Sequence, residues 1–532
     1  MPCIDEGRHR KNELRFRGKT MRMKSVSIKN FRGYKDETKI DFNDLTAFVG
    51  KNDVGKSTLL EALDIFFNVG KGAIKVEKED INKENLAADV KDIEISVVFE
   101  EIPLSVVIDD TYETTLESEY LLNSNGDLVI IKRYPNAGNE KVYLRAFHPT
   151  NPQCNDLLQK KNSELKRMID ALGIECSDKS INAVMRTAVW NHFTDSLQLQ
   201  EIEIDVTKGD TKSIWDKLKT YLPLYSLFQS DRKNSDGDSE VQDPLKEAVK
   251  QILSTDDIMT RFNAIASEVE IKLREVSQRT LEKLREMNPE IASTLNPVIP
   301  AVDRLKWSDV FKNVSISGDE DIPINKRGSG VKRLILLNFF RAEAERRREE
   351  QGTPSIVYAI EEPETSQHTE HQKMLIRALL TLSQAPRTQI LITTHSAAVV
   401  KQLNFGNLRL ITTQNNQKTV SPVDPGRLPY PSLNEVNYLA FSESTEEYHN
   451  ELYGYIEDQG MLSTFIAGKP TRPYQRVKRN GSIAHEQITL TEYIRHQIHH
   501  PENTNNVRFT FDELKESIQL MRDFLVAQGA GV

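Results

Sequence analysis

The sequence predicts an α/β protein: a mixed sheet flanked by helices, a helical insertion within it, and a mostly helical C-terminal domain. Three observations predict this. Gly50-Lys51-Asn52-Asp53-Val54-Gly55-Lys56-Ser57-Thr58 reads G-x-x-x-x-G-K-[ST], between an apolar run (Leu45 to Val49) and apolar residues at helical spacing (Leu59 to Phe67). Two later runs, Ile356 to Ile360 and Gln389 to Thr394, are apolar along most of their length and end in Glu361-Glu362 and His395-Ser396. Continuous runs of that kind suit parallel strands covered on both faces. Finally, 532 residues are too many for one compact core, so several domains follow.

Taken in order, residues 1–22 form an N-terminal extension, a flexible arm whose basic residues include Arg8, Arg10 and Lys11. It has no apolar stretch of the kind a secretory signal requires. Residues 23–150 form a first lobe. Ser25 to Tyr34 reads as a strand ending in a turn, Lys39 to Phe42 as a second strand, and Ile93 to Phe99 as a half-buried one. The Asn125-Gly126 pair between Tyr120-Leu121-Leu122 and Leu128 to Ile131 signals a hairpin. Residues 151–300 read as a mostly helical insertion, with helices over 157–172, 180–193 and 214–222 and a strand at Leu224 to Gln229. Its later helical stretch is too irregular in its heptads for a long coiled-coil arm. Residues 301–425 form a second lobe, and 426–532 the C-terminal domain.

The Gly50 to Thr58 loop is an anion cradle. Its glycines let backbone N–H groups close on phosphate oxygens, and the helix that follows adds partial positive charge at its N-terminus. Gly50, Asn52, Gly55, Lys56, Ser57 and Thr58 would bind the nucleotide. Lys56 would reach the β- and γ-phosphates and Ser57 would ligate Mg²⁺. ATP and Mg²⁺ are therefore the expected ligands. Glu361 and Glu362 stand at the end of a buried strand, where one carboxylate can join the Mg²⁺ shell and the other can polarise the attacking water. His395 closes the next strand and is placed to meet the γ-phosphate. A second loop, Lys326-Arg327-Gly328-Ser329-Gly330-Val331-Lys332, again precedes a helical pattern. One chain has little use for two such loops on one nucleotide. A head-to-tail dimer does, because Ser329 and Gly330 can close on the partner's nucleotide.

This constellation resembles the ABC-type ATPase heads of the RecF, SMC and OLD (overcoming lysogenization defect) group, over residues 23–68 and 300–415. Gly50 to Thr58 matches Walker A, Gly328 to Lys332 stands at the signature, Ile356 to Glu362 matches Walker B, and His395 matches the switch histidine. The resemblance also suggests Gln229 as a Q-loop residue beside the metal. The signature keeps only Ser329-Gly330 of L-S-G-G-Q, and Glu361 replaces the usual aspartate. OLD nucleases add a Toprim domain that needs a D-x-D, and no D-x-D follows residue 415.

Composition narrows the partners. Lys and Arg number 70 against 79 Asp and Glu, a formal charge of −9, so a nucleic-acid contact would have to be a local patch. Three scattered cysteines suit a reducing cytosol and no disulfide framework. No run reaches the roughly 18 apolar residues of a membrane span, so a cytoplasmic protein without membrane contact is expected. In the C-terminal domain, Arg495 and His500 give R-x₄-H, which resembles the motif of HEPN ribonucleases. Three functional readings are open at this stage. The first is an ATPase that pairs its heads around ATP as a homodimer or higher oligomer and controls a separate effector, such as a nuclease in antiviral defence. The second is a self-contained, ATP-gated ribonuclease using Arg495 and His500. The third is a DNA-end-binding ATPase of the repair type.

Overall fold

The computed structural model describes residues 21–68, 74–108, 112–207, 211–229, parts of 252–271, and 355–365, 369–414, 417–478 and 480–529. Ser329 and Gly330, the arm over 1–20 and the helix expected after residue 333 lie outside the described residues.

The first lobe opens with β1 (Arg22–Lys29), β2 (Thr38–Asp41), β3 (Leu45–Val49) and helix α1 (Lys56–Phe67). Then come β4 (Ile93–Glu100), the short pair β5 (Val106–Val107) and β6 (Glu113–Thr114), β7 (Leu128–Tyr134) and β8 (Lys141–Pro149). Helices α2 (Asn162–Leu172) and α3 (Asn182–His192) precede β9 (Leu199–Asp205), α4 (Thr211–Leu218) and β10 (Leu224–Phe228). The second lobe has β11 (Ile356–Glu361), α5 (Thr369–Ser383), β12 (Thr388–Thr394), β13 (Leu408–Gln414) and β14 (Gln417–Pro422).

These strands make two six-stranded sheets, ordered β2-β1-β4-β7-β8-β9 and β10-β11-β12-β3-β13-β14. The first is antiparallel throughout; the second is parallel except for its edge strand β14. Alternation decides which core each residue joins. On β11, Val357 and Ala359 join α1 and the antiparallel sheet in one core, while Ile356, Tyr358 and Ile360 pack with α5 in another. Both faces are covered, which is why the run is apolar at every position.

Two features cross the boundaries read from the sequence. β9 pairs along β8, and β10 pairs with β11, so the stretch after residue 150 supplies one strand to each sheet. The Asn-Gly signal marks a real turn, with the Asn123 carbonyl accepting from Gly126 at 3.0 Å, but only its downstream arm is a strand. Upstream, Tyr120 has φ 52°, which breaks extended geometry. Glu119 beside it is buried and takes two bonds from the buried Arg186, at 2.7 and 3.0 Å. That pair joins the turn segment to α3.

The C-terminal residues fold as α6 (Leu433–Phe441), α7 (Glu446–Asp458), β15 (Thr471–Val477), β16 (Ile483–Thr489), α8 (Leu490–His499) and α9 (Phe511–Ala527). The region is helical as expected, with an antiparallel β15–β16 hairpin added. Helices α7, α8 and α9 share a core that includes Tyr448, Leu452, Ile494, Ile518 and Met521. Within it His449 Nε2 meets Ser517 Oγ at 3.0 Å, and Ser517 donates to Thr491 Oγ1 at 2.8 Å. Burial, and secondarily the Arg495 charge, lowers the His449 pKa to about 3. An unfolded imidazole protonates near pH 6.5, so acid favours the unfolded chain once pH drops below that value. Between pH 7.5 and 5 the wild type should lose about 2 kcal/mol more stability than His449→Gln. Denaturant unfolding followed by tryptophan-independent helix signal at both pH values measures this, and equal losses in the two proteins would refute it.

Candidate nucleotide site

The phosphate loop, the acidic pair, His395 and Gln229 all follow strands at the carboxyl edge of the parallel sheet. In register, Glu361 lies opposite Thr393, and Thr394 opposite Val49, the residue before the loop. Gln229 follows β10, whose Phe228 is opposite Ile360. Crevices outside the carboxyl ends of parallel strands are where open α/β sheets take ligands. Here the crevice is a cleft of about 490 Å³, lined among others by Arg32, Asn52, Lys56, Ser57, Glu362 and Lys418.

The loop conformation explains its glycines. Gly55 has φ 101°, a left-handed value disfavoured for other residues. A Cβ on Gly50 would lie 2.8 Å from the Ile411 carbonyl oxygen on β13, so close backbone approach excludes a side chain there. α1 begins at Lys56, and Lys56 Nζ donates to the carbonyls of Gly50 and Lys51 at 2.8 and 2.9 Å. Burial lowers its pKa, while Glu362 and Glu364 oppose that shift. Thr58 and Asn52 line the same cleft.

Glu361 is buried at the end of β11 and has an oxygen, Oε1, without a hydrogen-bond partner. Burial raises its pKa to about 7, with Glu61 and Glu362 adding repulsion and bonds from Ser57 and Gln229 opposing it. Ser57, Glu361 and Gln229 therefore meet, although they are far apart in sequence. A buried carboxylate with an unpartnered oxygen and excess negative charge suits an oxygen-liganded divalent cation such as Mg²⁺.

Glu362 has φ 41°, unusual for a residue with a side chain. Its N–H is shared between the Thr393 carbonyl and hydroxyl oxygens, both at 3.1 Å, which hold the turn. Its carboxylate reaches His395 Nδ1 at 3.0 Å. Sequence reasoning paired these two residues with the γ-phosphate but missed the group behind them. Glu364 is buried, accepts from Thr394 Oγ1 at 2.6 Å and from the His395 N–H at 3.2 Å, and so fixes the chain leaving β12. Its place in Glu361-Glu362-Pro363-Glu364 was the available signal.

Two cations in the cleft were given no role by the sequence. Arg32, in the turn after β1, pairs with Glu61 on α1 and with Asp80 Oδ1 at 2.7 Å. Glu61 in turn accepts from Gln229 Nε2 at 3.4 Å. Lys418 reaches in from β14. Neither is foreseeable from spacing, because each contact joins segments far apart in the chain.

The two residues of the R-x₄-H pair have different partners within one chain. Arg495 meets His499 and, at 2.8 Å, Asn450 Oδ1, whereas His500 caps the end of α8 and meets Glu502 at 3.1 Å. Four residues is the helical interval that stacks side chains, and a fifth carries His500 round the axis and out of the helix. Among the described residues, no group of three or more His, Cys, Asp or Glu is arranged to hold a metal by itself. None of their helices is long and apolar enough to cross a membrane.

Comparison with known proteins agrees with this geometry. The family model described as "AAA ATPase domain" matches residues 21–400. An "ATP/GTP phosphatase" of Helicobacter pylori (strain ATCC 700392 / 26695) is 30% identical over 155 residues, covering 27% of this chain and 38% of that protein. "Endonuclease GajA" of Bacillus cereus (strain HuB5-5) is 21% identical over 443 residues, covering 74% of this chain and 61% of that one. The chain thus spans 38% and 61% of the lengths of these two relatives. Among solved structures, the SMC head domain from Thermotoga maritima is 14% identical with a TM-score of 0.32, covering 76% of this chain and 99% of that one. The SMC head bound to the C-winged helix domain of ScpA is 13% identical with a TM-score of 0.34, covering 75% and 97%. The glycine loop and the acidic strand end at one sheet edge suit an ATPase, and the chain belongs to the AAA ATPase domain family.

Proposed function

We propose that this chain hydrolyses ATP between two paired heads and that the cycle controls an effector. The convergence of Ser57, Glu361 and Gln229 beside the phosphate loop is the observation that carries the reading, because a buried carboxylate with an unpartnered oxygen there supports a cation site. Ser57 and Glu361 would hold Mg²⁺, with Gln229 alongside; when bound, the ion screens the phosphate oxygens and orients them. Loop N–H groups and Lys56 bind the triphosphate. Glu362 accepts a proton from a water whose oxygen attacks the γ-phosphorus, and the bond to the bridging oxygen breaks to leave ADP and phosphate. His395, bonded to Glu362, orients that carboxylate.

Ser329 and Gly330 complete the site from the partner head in this reading, so turnover and pairing are one event. The relative named an endonuclease supports a nuclease effector, in the same chain or a separate one, and a role in antiviral defence follows as part of the proposal. The test is phosphate release from ATP by the full chain, with sedimentation run in parallel. Turnover that needs Mg²⁺ and stops with EDTA, together with ATP-dependent growth in mass, is the expected result. Turnover at full rate in EDTA, or by a species whose mass ATP never changes, would overturn the reading.

A further inference from the structure

Lys418 occupies a place built for it. It lies on β14, next to the strand that borders β3, and its side chain crosses to the loop before α1. Its Nζ donates to the Asp53 carbonyl at 2.6 Å. A Cβ on Gly33 would lie 2.4 Å from Lys418 Cε, and one on Gly55 would lie 2.9 Å from its Cδ. Two glycines, one from the turn after β1 and one from the phosphate loop, thus form the slot that holds its stem.

The charge of Lys418 is as informative as its packing. Among the described residues no carboxylate lies within ion-pair distance of its Nζ; its one hydrogen bond is to a neutral carbonyl. It lines the same cleft as Lys56, and the two ammonium groups repel: the Lys418 charge is one of the causes lowering the Lys56 pKa. Lys56 is likewise held by loop carbonyls. Two partly desolvated cations aimed into one cleft raise its affinity for a polyanion.

We propose that Lys418 is a second triphosphate-binding cation of the nucleotide site, reaching it from β14 whereas Lys56 reaches it from α1. This rests on the nucleotide reading of the cleft. On binding, the ammonium exchanges the Asp53 carbonyl for a phosphate oxygen, with no proton transferred.

The test is calorimetric titration of the full chain with the non-hydrolysable β,γ-imido analogue of ATP. Lys418→Met keeps the stem between Gly33 and Gly55 and removes the charge. Its dissociation constant should rise about tenfold, Lys418→Arg should stay within about threefold of wild type, and both should melt at the wild-type temperature without nucleotide. Lys56→Ala is the control for the site itself. Wild-type affinity in Lys418→Met alongside loss in Lys56→Ala would overturn the role of Lys418 and leave the site standing. Loss of affinity that Arg does not restore, with a lowered melting temperature, would also overturn it, by making Lys418 a strut. Wild-type affinity in both variants would remove the nucleotide reading and this proposal together.

Discussion

Lys56→Ala should abolish measurable ATP binding at micromolar protein concentrations. Lys56 opens α1, and its ammonium is buried against the Gly50 and Lys51 carbonyls at the floor of the cleft. Alanine removes a charge-assisted donor from a desolvated position and leaves Glu362 and Glu364, which now favour the charged lysine, without that compensation. Truncating one partner of such a buried charged contact typically costs about 3–5 kcal/mol, a rise in dissociation constant of roughly 10²–10⁴. Helix α1 should survive, because alanine is the strongest helix former and its apolar face, including Leu59, Leu60, Leu63 and Phe66, is untouched. The measurement is nucleotide titration at constant helix content. Affinity within about threefold of wild type would show that the cleft does not take triphosphate as described.

Glu362→Gln should separate binding from chemistry. The amide keeps the size of the carboxylate but cannot accept the proton of the attacking water, so turnover should fall by roughly 10²–10⁴. Binding should persist, because Lys56 and the loop N–H groups are unchanged. If hydrolysis releases the paired heads, the variant should accumulate as an ATP-bound pair that sedimentation resolves from wild type. The left-handed turn at Glu362 is held by the backbone bond to Thr393, which does not depend on the side chain, so misfolding is not expected. The contact with His395 changes character rather than geometry, since an amide can still bond Nδ1. Undiminished hydrolysis by Glu362→Gln would remove Glu362 as the base and pass the role to another cleft residue.

Of the partners expected from the sequence, the separate effector and a nucleic acid remain readings to be tested by these experiments. The ribonuclease reading is likewise to be tested by experiment. Arg495 is occupied by Asn450 and His499, and His500 faces Glu502 beyond the helix. The R-x₄-H spacing was legible, but the point at which α8 stops was not. That point separates a residue one turn above the arginine from one that leaves the helix.

The sequence by itself determined the local units. Gly50 to Thr58 between an apolar run and a helical pattern could only be a strand, a loop and a helix, and β3 and α1 follow those bounds closely. Ile356 to Glu361 and Thr388 to Thr394 were readable as parallel strands because burial on both faces leaves apolar residues in succession, Ile356 to Ile360 in one and Ile390 to Ile392 in the other. Glu361 and Glu362 were readable because carboxylates directly after such a run have few structural uses. The tertiary structure alone decided what depends on distant pairing. It set β9 beside β8 and β10 beside β11, and it brought Glu364 to His395, Arg32 to Glu61 and Lys418 to the phosphate loop. Periodicity records which face of an element is buried, and it carries no information about which other element covers that face. Lys418 shows the limit plainly: its surroundings are Gly33, Asp53 and Gly55, all more than 300 positions away, and only the fold makes them neighbours.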